Sequence, residues 1–174
     1  LAVEEQRAAL VERLRVTIPD ARLISASFEG MDDFEGTPTI RYTLAWPALA
    51  VVAGDRMVLS PSLFGAPANN PFTAQSRKTP VHFPHTQKTV DRITIEAPDG
   101  YAIDELPGAS IVREGAFVLV TNFARDSGKL VFSRRLEIDA AMWPVDQYQL
   151  LKTFFERAQQ ADRVVVTLAK EPPS

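Results

Sequence analysis

Between residues 3 and 16 the apolar positions Val3, Leu10, Val11 and Leu14 fall on one face at helical spacing. Glu4 and Glu5 stand near the start of this segment and Arg13 and Arg15 near its end, which suits the helix macrodipole. Pro19 stops the pattern, so a helix is predicted over residues 3–16. From Arg22 the period changes to two. Residues 22–28 read as one strand, residues 29–36 as an acidic turn region, and residues 39–46 as a second strand. In that second strand Ile40, Tyr42, Leu44 and Trp46 alternate with Thr39, Arg41, Thr43 and Ala45. Residues 49–53 and 56–59 flank Gly54-Asp55, the signature of a two-residue hairpin turn.

Residues 60–84 break the periodicity. Pro61, Pro67, Pro71, Pro80 and Pro84 interrupt them, and Gly65, Asn69 and Asn70 add turn signals. A loop of this length inside a compact domain is uncommon. Leu63, Phe64, Phe72, Val81 and Phe83 are too apolar for a disordered segment, so an ordered crossing packed over a sheet is expected.

Strands over 89–96, 101–104, 110–113, 116–122 and 129–138 follow and read as an antiparallel meander. The turns between them carry Pro98-Asp99-Gly100, Leu106-Pro107-Gly108, Glu114-Gly115 and Asp126-Ser127-Gly128. In the last of these strands Leu130, Phe132, Leu136 and Ile138 face one way, with Arg134 as an exception among them. Val131, Ser133, Arg135 and Glu137 face the other way, which predicts one solvated face. A second helix begins near Pro144, with Asp146 as N-cap, Gln149 three residues on, and Val145 stapled to Leu150. Its apolar stripe is Tyr148, Leu151, Phe155 and Ala158. The β-branched run at residues 164–168 suits a central strand covered on both faces.

The predicted fold is therefore mainly β (α+β). It is an antiparallel β-sandwich or bent sheet with an N-terminal helix and one C-terminal helix. The 174 residues fit a single domain, 1–174, with a division into subdomains near 84–88 left open.

Composition narrows the function classes. Apolar residues make up 45% and charged residues 24%, an ordinary globular balance. A net charge of −3 and a pI near 5.4 argue against a nucleic-acid partner. The absence of cysteine excludes disulfides, thiolate zinc sites and a cysteine nucleophile within the chain. No apolar run is long enough for a membrane span. The chain opens on Leu1 without a signal-peptide pattern and reads as a piece of a longer protein.

Few residues mark a reaction. His82 and His85 are the only histidines. Their spacing suits a metal on a helix, but Pro80 and Pro84 oppose a helix there, and in a strand the two would face opposite ways. Ser60, Ser62 and Ser76 lie in loops, and no Gly-x-Ser-x-Gly elbow is present. Glu29, Asp32, Asp33 and Glu35 share the charge of a calcium loop but not its order, and a solvated acidic turn is the expected reading. Glu137 and Asp139 form a carboxylate pair of a kind any chain offers. No glycine-rich phosphate loop exists. Tyr42, Trp46, Trp143 and Tyr148 suit either a sugar-stacking platform or core positions. No catalytic, cofactor-binding or metal-binding residue is assigned, and no cofactor is expected. The candidate structural or interaction loop is Arg77, Pro80, Val81 and Phe83. Arg77 could hold an anion or a partner carboxylate, or its five donors could tie loop carbonyls together, which is the favoured expectation.

Several motifs occur in a characteristic order. They are Gly54-Asp55 with Met57-Val58-Leu59-Ser60-Pro61, Asn70-Pro71-Phe72, and Arg77-x-x-Pro80-Val81-x-Phe83. Ala97-Pro98-Asp99-Gly100-Tyr101, Glu105-Leu106-Pro107, and Tyr148-x-x-Leu151-x-x-Phe154 before Val164-Val165-Val166 complete the set. With the leading helix, this order resembles the C-terminal β-domain of large bacterial transglutaminase-like proteins, whose papain-like core lies upstream. The resemblance implies a non-catalytic accessory domain, because the Cys, His and Asp of such cores match no position here. It also implies a periplasmic or secreted location and an upstream transglutaminase-like core of the same polypeptide as partner. The alternative is an independent β-sandwich module that binds glycan or peptide, motivated by the aromatics and by exposed sheet edges.

Overall fold

A computed structural model describes residues 2–18, 20–32, 37–63 and 70–171. By its internal contacts the chain divides into two units, Leu1–Val51 and Val52–Ser174.

The first unit holds α1 (Val3–Thr17), β1 (Arg22–Glu29) and β2 (Thr39–Ala45). The Ala2 amide donates to the Glu5 carboxylate at 3.1 Å, so a side chain within the first turn satisfies an orphan donor at the helix start. The buried stripe is Leu10, Leu14 and Ile18, while Val3 is 64% exposed. The stripe thus begins at Leu10, about two helical turns after Val3 where the sequence pattern starts it, and ends beyond the helix. α1 lies against β1. β1 and β2 pair antiparallel from Arg22↔Ala45 to Glu29↔Thr39, with an irregularity between Leu23 and Ser25. Residues 33–36 of the expected acidic turn lie outside the described residues.

The division falls within β3 (Ala50–Ala53). β4 (Arg56–Leu59), β5 (Val81–His82), β6 (Gln87–Ile95), β7 (Tyr101–Glu105) and β8 (Ser110–Glu114) follow. Then come β9 (Phe117–Asp126), β10 (Lys129–Ile138), β11 (Met142–Trp143), α2 (Tyr148–Asp162) and β12 (Val166–Lys170). Two four-stranded sheets result, ordered β6-β10-β9-β8 and β3-β4-β12-β7, with a short β11–β5 ladder beside them. The fold is mainly β with antiparallel sheets, a helix near the N-terminus and a second near the C-terminus.

The meander is not one sheet. β7 leaves the β6–β10 array and pairs with β12, from Tyr101↔Lys170 to Glu105↔Thr167. Proline–glycine turns specify where the chain reverses, but not which sheet the next strand joins. β12 has β4 on its other side, and this confirms its central place. The strand starts two residues later than predicted: Val166 and Leu168 are buried, whereas Val165 is 50% exposed.

The register of β9 on β10 places Phe117, Leu119, Thr121 and Phe123 opposite Ile138, Leu136, Arg134 and Phe132 on one face. α2 covers one end of that face. Phe154 packs 5.4 Å from Phe117 between ring centroids, and Tyr148, Leu151, Phe155, Ala158 and Ala161 join the same core. Phe154, which the predicted stripe omitted, is fully buried. The start of α2 also differs from expectation. A 3-10 turn at Val145–Gln147 precedes it, neither start carries a side-chain cap, and Val145 and Leu150 are exposed instead of stapled. The turn's own backbone bonds, from the Gln147 amide to the Pro144 carbonyl at 3.3 Å and from the Tyr148 amide to the Val145 carbonyl, satisfy donors at this start, the second being one that Asp146 was expected to cap.

Candidate functional site

The expected crossing loop is anchored from three sides. Asn70 forms an Asx turn: its Oδ1 accepts from the Phe72 amide at 2.8 Å, and its Nδ2 donates to the Lys152 carbonyl of α2 at 3.1 Å. That places the buried Phe72 ring 4.9 Å from Phe155, 6.3 Å from Tyr148 and 6.4 Å from Phe83. Such pairs contribute about 0.5–1.5 kcal/mol each beyond their area. Further along, β5 pairs with β11 as Val81↔Trp143 and His82↔Met142. The Phe83 amide then donates to the Ala141 carbonyl at 2.8 Å, and the Phe83 ring lies 5.5 Å from Phe117. Val81 and Phe83 pack against the α2 core, and Pro80 is half-buried beside them. Residues 64–69 of the loop, including Phe64 and Pro67, lie outside the described residues.

Among the described residues Arg77 makes no hydrogen bond to a loop carbonyl, unlike the expectation that its donors tie the loop together. It is exposed, and its guanidinium carbon lies 5.8 Å from the centroid of the Tyr148 ring. The loop backbone finds its partners elsewhere, in Asn70, in the β5–β11 ladder, and in the Gln149 side chain, which donates to the Gln75 carbonyl. A guanidinium stacked on a ring keeps its in-plane donors available. Arg77 makes no ion pair with any described residue.

His82 and His85 are both exposed, and His82 stands beside the exposed Met142 on the outer side of the short ladder. Among the described residues no group of three or more His, Asp or Glu side chains gathers as a metal site would require. Two of the four aromatic residues considered for sugar stacking, Trp143 and Tyr148, are core residues at 6% and 3% exposure. The Trp143 ring is fixed by a 2.8 Å bond from its Nε1 to the Gln147 carbonyl and by a 4.6 Å contact with Phe117. Glu137 accepts from Lys88 at 3.1 Å and Arg135 at 3.4 Å, and Asp139 is exposed.

The chemistry that sequence reasoning missed centres on Arg134, the charged exception on an apolar strand face. It is 3% exposed. Its Nε and Nη2 bond the two carboxylate oxygens of Asp162 at 2.7 and 2.9 Å, a bidentate charge-assisted pair. Asp91, its cross-strand neighbour on β6, lies 3.7 Å away, and the Ser62 hydroxyl donates to Asp162 at 2.9 Å. Ser62 follows β4 and Asp162 ends α2, so the cluster joins both large sheets to the helix. The signal in the sequence was the broken alternation itself. What it lacked was the partner, 28 residues away. The Thr121 hydroxyl, opposite Arg134 on β9, is buried with no hydrogen-bond partner among the described residues.

No curated protein matches the sequence. A crystal structure described as a "putative protease" from Parabacteroides distasonis superposes with a TM-score of 0.51 at 9% identity, a likeness of fold alone. The match covers 66% of this chain and 23% of that one, so the chain corresponds to a minor part of that longer protein. A family model described as a domain of unknown function with solved structure (DUF3858) matches residues 55–168, from the β3–β4 turn into β12, and the chain belongs to that family.

Proposed function

We propose that this chain is a non-catalytic accessory domain of a transglutaminase-like, cysteine-protease-like polypeptide. In this reading it packs on the catalytic core, on the exported side of the membrane. The observation that carries the proposal is one of proportion: the related fold makes up only 23% of a chain whose name suggests a protease. The state of the polar side chains supports it. Ser62, Asp162 and Arg134 are committed to one another, and Glu137 to Lys88 and Arg135, so each has a structural partner in place of a substrate. No helix among the described residues is long and apolar enough to cross a membrane.

The test begins with the coding sequence upstream of Leu1. A papain-like core bearing Cys, His and Asp is expected there, and a polypeptide without one would overturn the proposal. Cell fractionation of the full polypeptide checks location, with recovery in the periplasmic or secreted fraction expected.

A further inference from the structure

The outer face of the β6-β10-β9-β8 sheet, opposite the one α2 covers, is laid out by the strand register. One row across the four strands reads Val90, Arg135, Val120, Ile111. The next reads Lys88, Glu137, Val118, Arg113, and on the other side Arg92, Ser133 and Asn122 line up. Strands about 4.8 Å apart make the central row roughly 14 Å wide. Val90 and Ile111 are 62% and 66% exposed at its two ends, and Lys88, Arg92, Arg113, Arg135 and Asn122 are exposed around it.

The charge on this face opposes that of the molecule. The chain carries 22 acidic against 19 basic residues, yet these three rows hold four basic side chains and a single acid, Glu137; at the far end the same face adds Lys129 and Asp126, with Lys129 paired to Glu96. Among the described residues Glu137 pairs with Lys88 and Arg135. Arg92 and Arg113 make no ion pair among the described residues. The face bears no aromatic side chain, so it offers no platform on which a base or a sugar ring could stack. Arginines around exposed valine and isoleucine are instead the chemistry of a protein interface.

We infer that this sheet face docks an acidic protein surface, with carboxylates flanking an apolar strip that covers Val90, Val120 and Ile111. The inference rests on the accessory-domain reading for where such a surface would come from, and deepens it by naming the side that faces the partner. Arg92 and Arg113 supply paired donors to carboxylates, and the flat row supplies register.

The test uses the 174-residue chain and two fluorescein-labelled peptides of alternating sequence, one of Glu and Val and one of Lys and Val. Anisotropy measures affinity, and amide shift mapping on labelled protein locates the contact. The Glu peptide is expected to bind, to weaken as salt rises, and to shift amides of β6, β10, β9 and β8. Arg92→Glu with Arg135→Glu is expected to weaken it by about ten-fold or more. Arg113→Glu alone serves as a second variant should the double one fold poorly. Equal binding of the Lys peptide, no binding of either, or unchanged affinity in a folded charge-reversed variant would overturn the inference. None of these outcomes bears on the upstream core, whose absence would remove the accessory reading and leave this face's chemistry standing.

Discussion

Asp162→Ala isolates the buried ion cluster. The substitution leaves the Arg134 guanidinium, 3% exposed, without the carboxylate that takes two of its donors at 2.7 and 2.9 Å. Asp91 at 3.7 Å offsets part of the charge but offers no comparable bidentate geometry. Breaking a buried pair from one side costs about 3–5 kcal/mol. The Ser62 hydroxyl also loses its acceptor, which adds about 1 kcal/mol where no water replaces it. Against a typical domain stability of about 5–15 kcal/mol, such a loss lowers a urea midpoint by a large fraction or leaves the chain unfolded. Arg134→Met with Asp162→Leu removes both charges and fills the space with apolar atoms. It is expected to recover most of the loss, because exchanging a whole buried pair is often neutral or stabilising. Urea titrations followed by far-UV circular dichroism and by fluorescence of the buried Trp143 measure both variants beside the unaltered chain. If Asp162→Ala shifts stability by less than about 1 kcal/mol, as removal of an exposed pair such as Lys129–Glu96 would, the guanidinium is solvated and the reasoning fails.

Gly115→Ala is expected to destabilise by about 1–3 kcal/mol, since φ is +54° there and a Cβ would stand 2.7 Å from the Trp143 ring; displacement of that ring would show in its emission maximum. Phe83→Ala is expected to cost about 2–4 kcal/mol through lost contacts with Phe72 and Phe117, whereas His82→Ala on the exposed side of the same ladder stays within about 0.5 kcal/mol. Thermal unfolding of the two variants side by side checks the contrast. Arg77→Ala is expected to cost only about 0.5–1 kcal/mol, the value of an exposed cation–π contact, measured by the same unfolding midpoint.

The elements legible in the sequence were those specified locally. Apolar spacing and Pro19 marked α1, and Gly54, with φ of +66°, marked the β3–β4 turn. Period-two alternation marked β10, and the β-branched run marked a central strand near β12. What stayed hidden was set by partners distant in the chain. Nothing in residues 81–82 announces a ladder with Met142–Trp143, because two residues carry no period. β7 looks like a meander strand because its flanking turns do, and only pairing with Lys170, Ala169, Leu168 and Thr167 assigns it to the second sheet. The solvated face of β10 was read correctly at Arg135, yet Val131 on the same side is 6% exposed, since alternation reports direction and not what lies above a residue. The Arg77–Phe83 stretch divides along the same line. Its aromatic anchors were legible as too apolar for solvent, while the ring beneath Arg77 belongs to α2 and could not be read from the loop.

The division of the chain makes a prediction about autonomy. The family match begins at Asp55, and the second compact unit begins at Val52, so sequence kinship and internal contacts part the chain within a few residues of each other. The second unit owns two four-stranded sheets, the α2 core and the Arg134 cluster. The first owns one helix and a two-stranded ribbon, with Leu10, Leu14 and Ile18 as the buried apolar residues among those described. A two-stranded ribbon is marginal in water by itself, and a segment of about 50 residues buries too little surface to offset its conformational entropy comfortably. A fragment of residues 52–174 is therefore expected to unfold cooperatively, with the dispersed amide spectrum of a native β-protein, while residues 1–51 alone show neither property. The fragment omits only the first half of the edge strand β3, which leaves β4, β12 and β7 paired as before. A 52–174 fragment that binds hydrophobic dye and melts without a transition would refute this. The first unit would then be supplying part of the fold's stability, and the boundary of the folding unit would lie outside the family match.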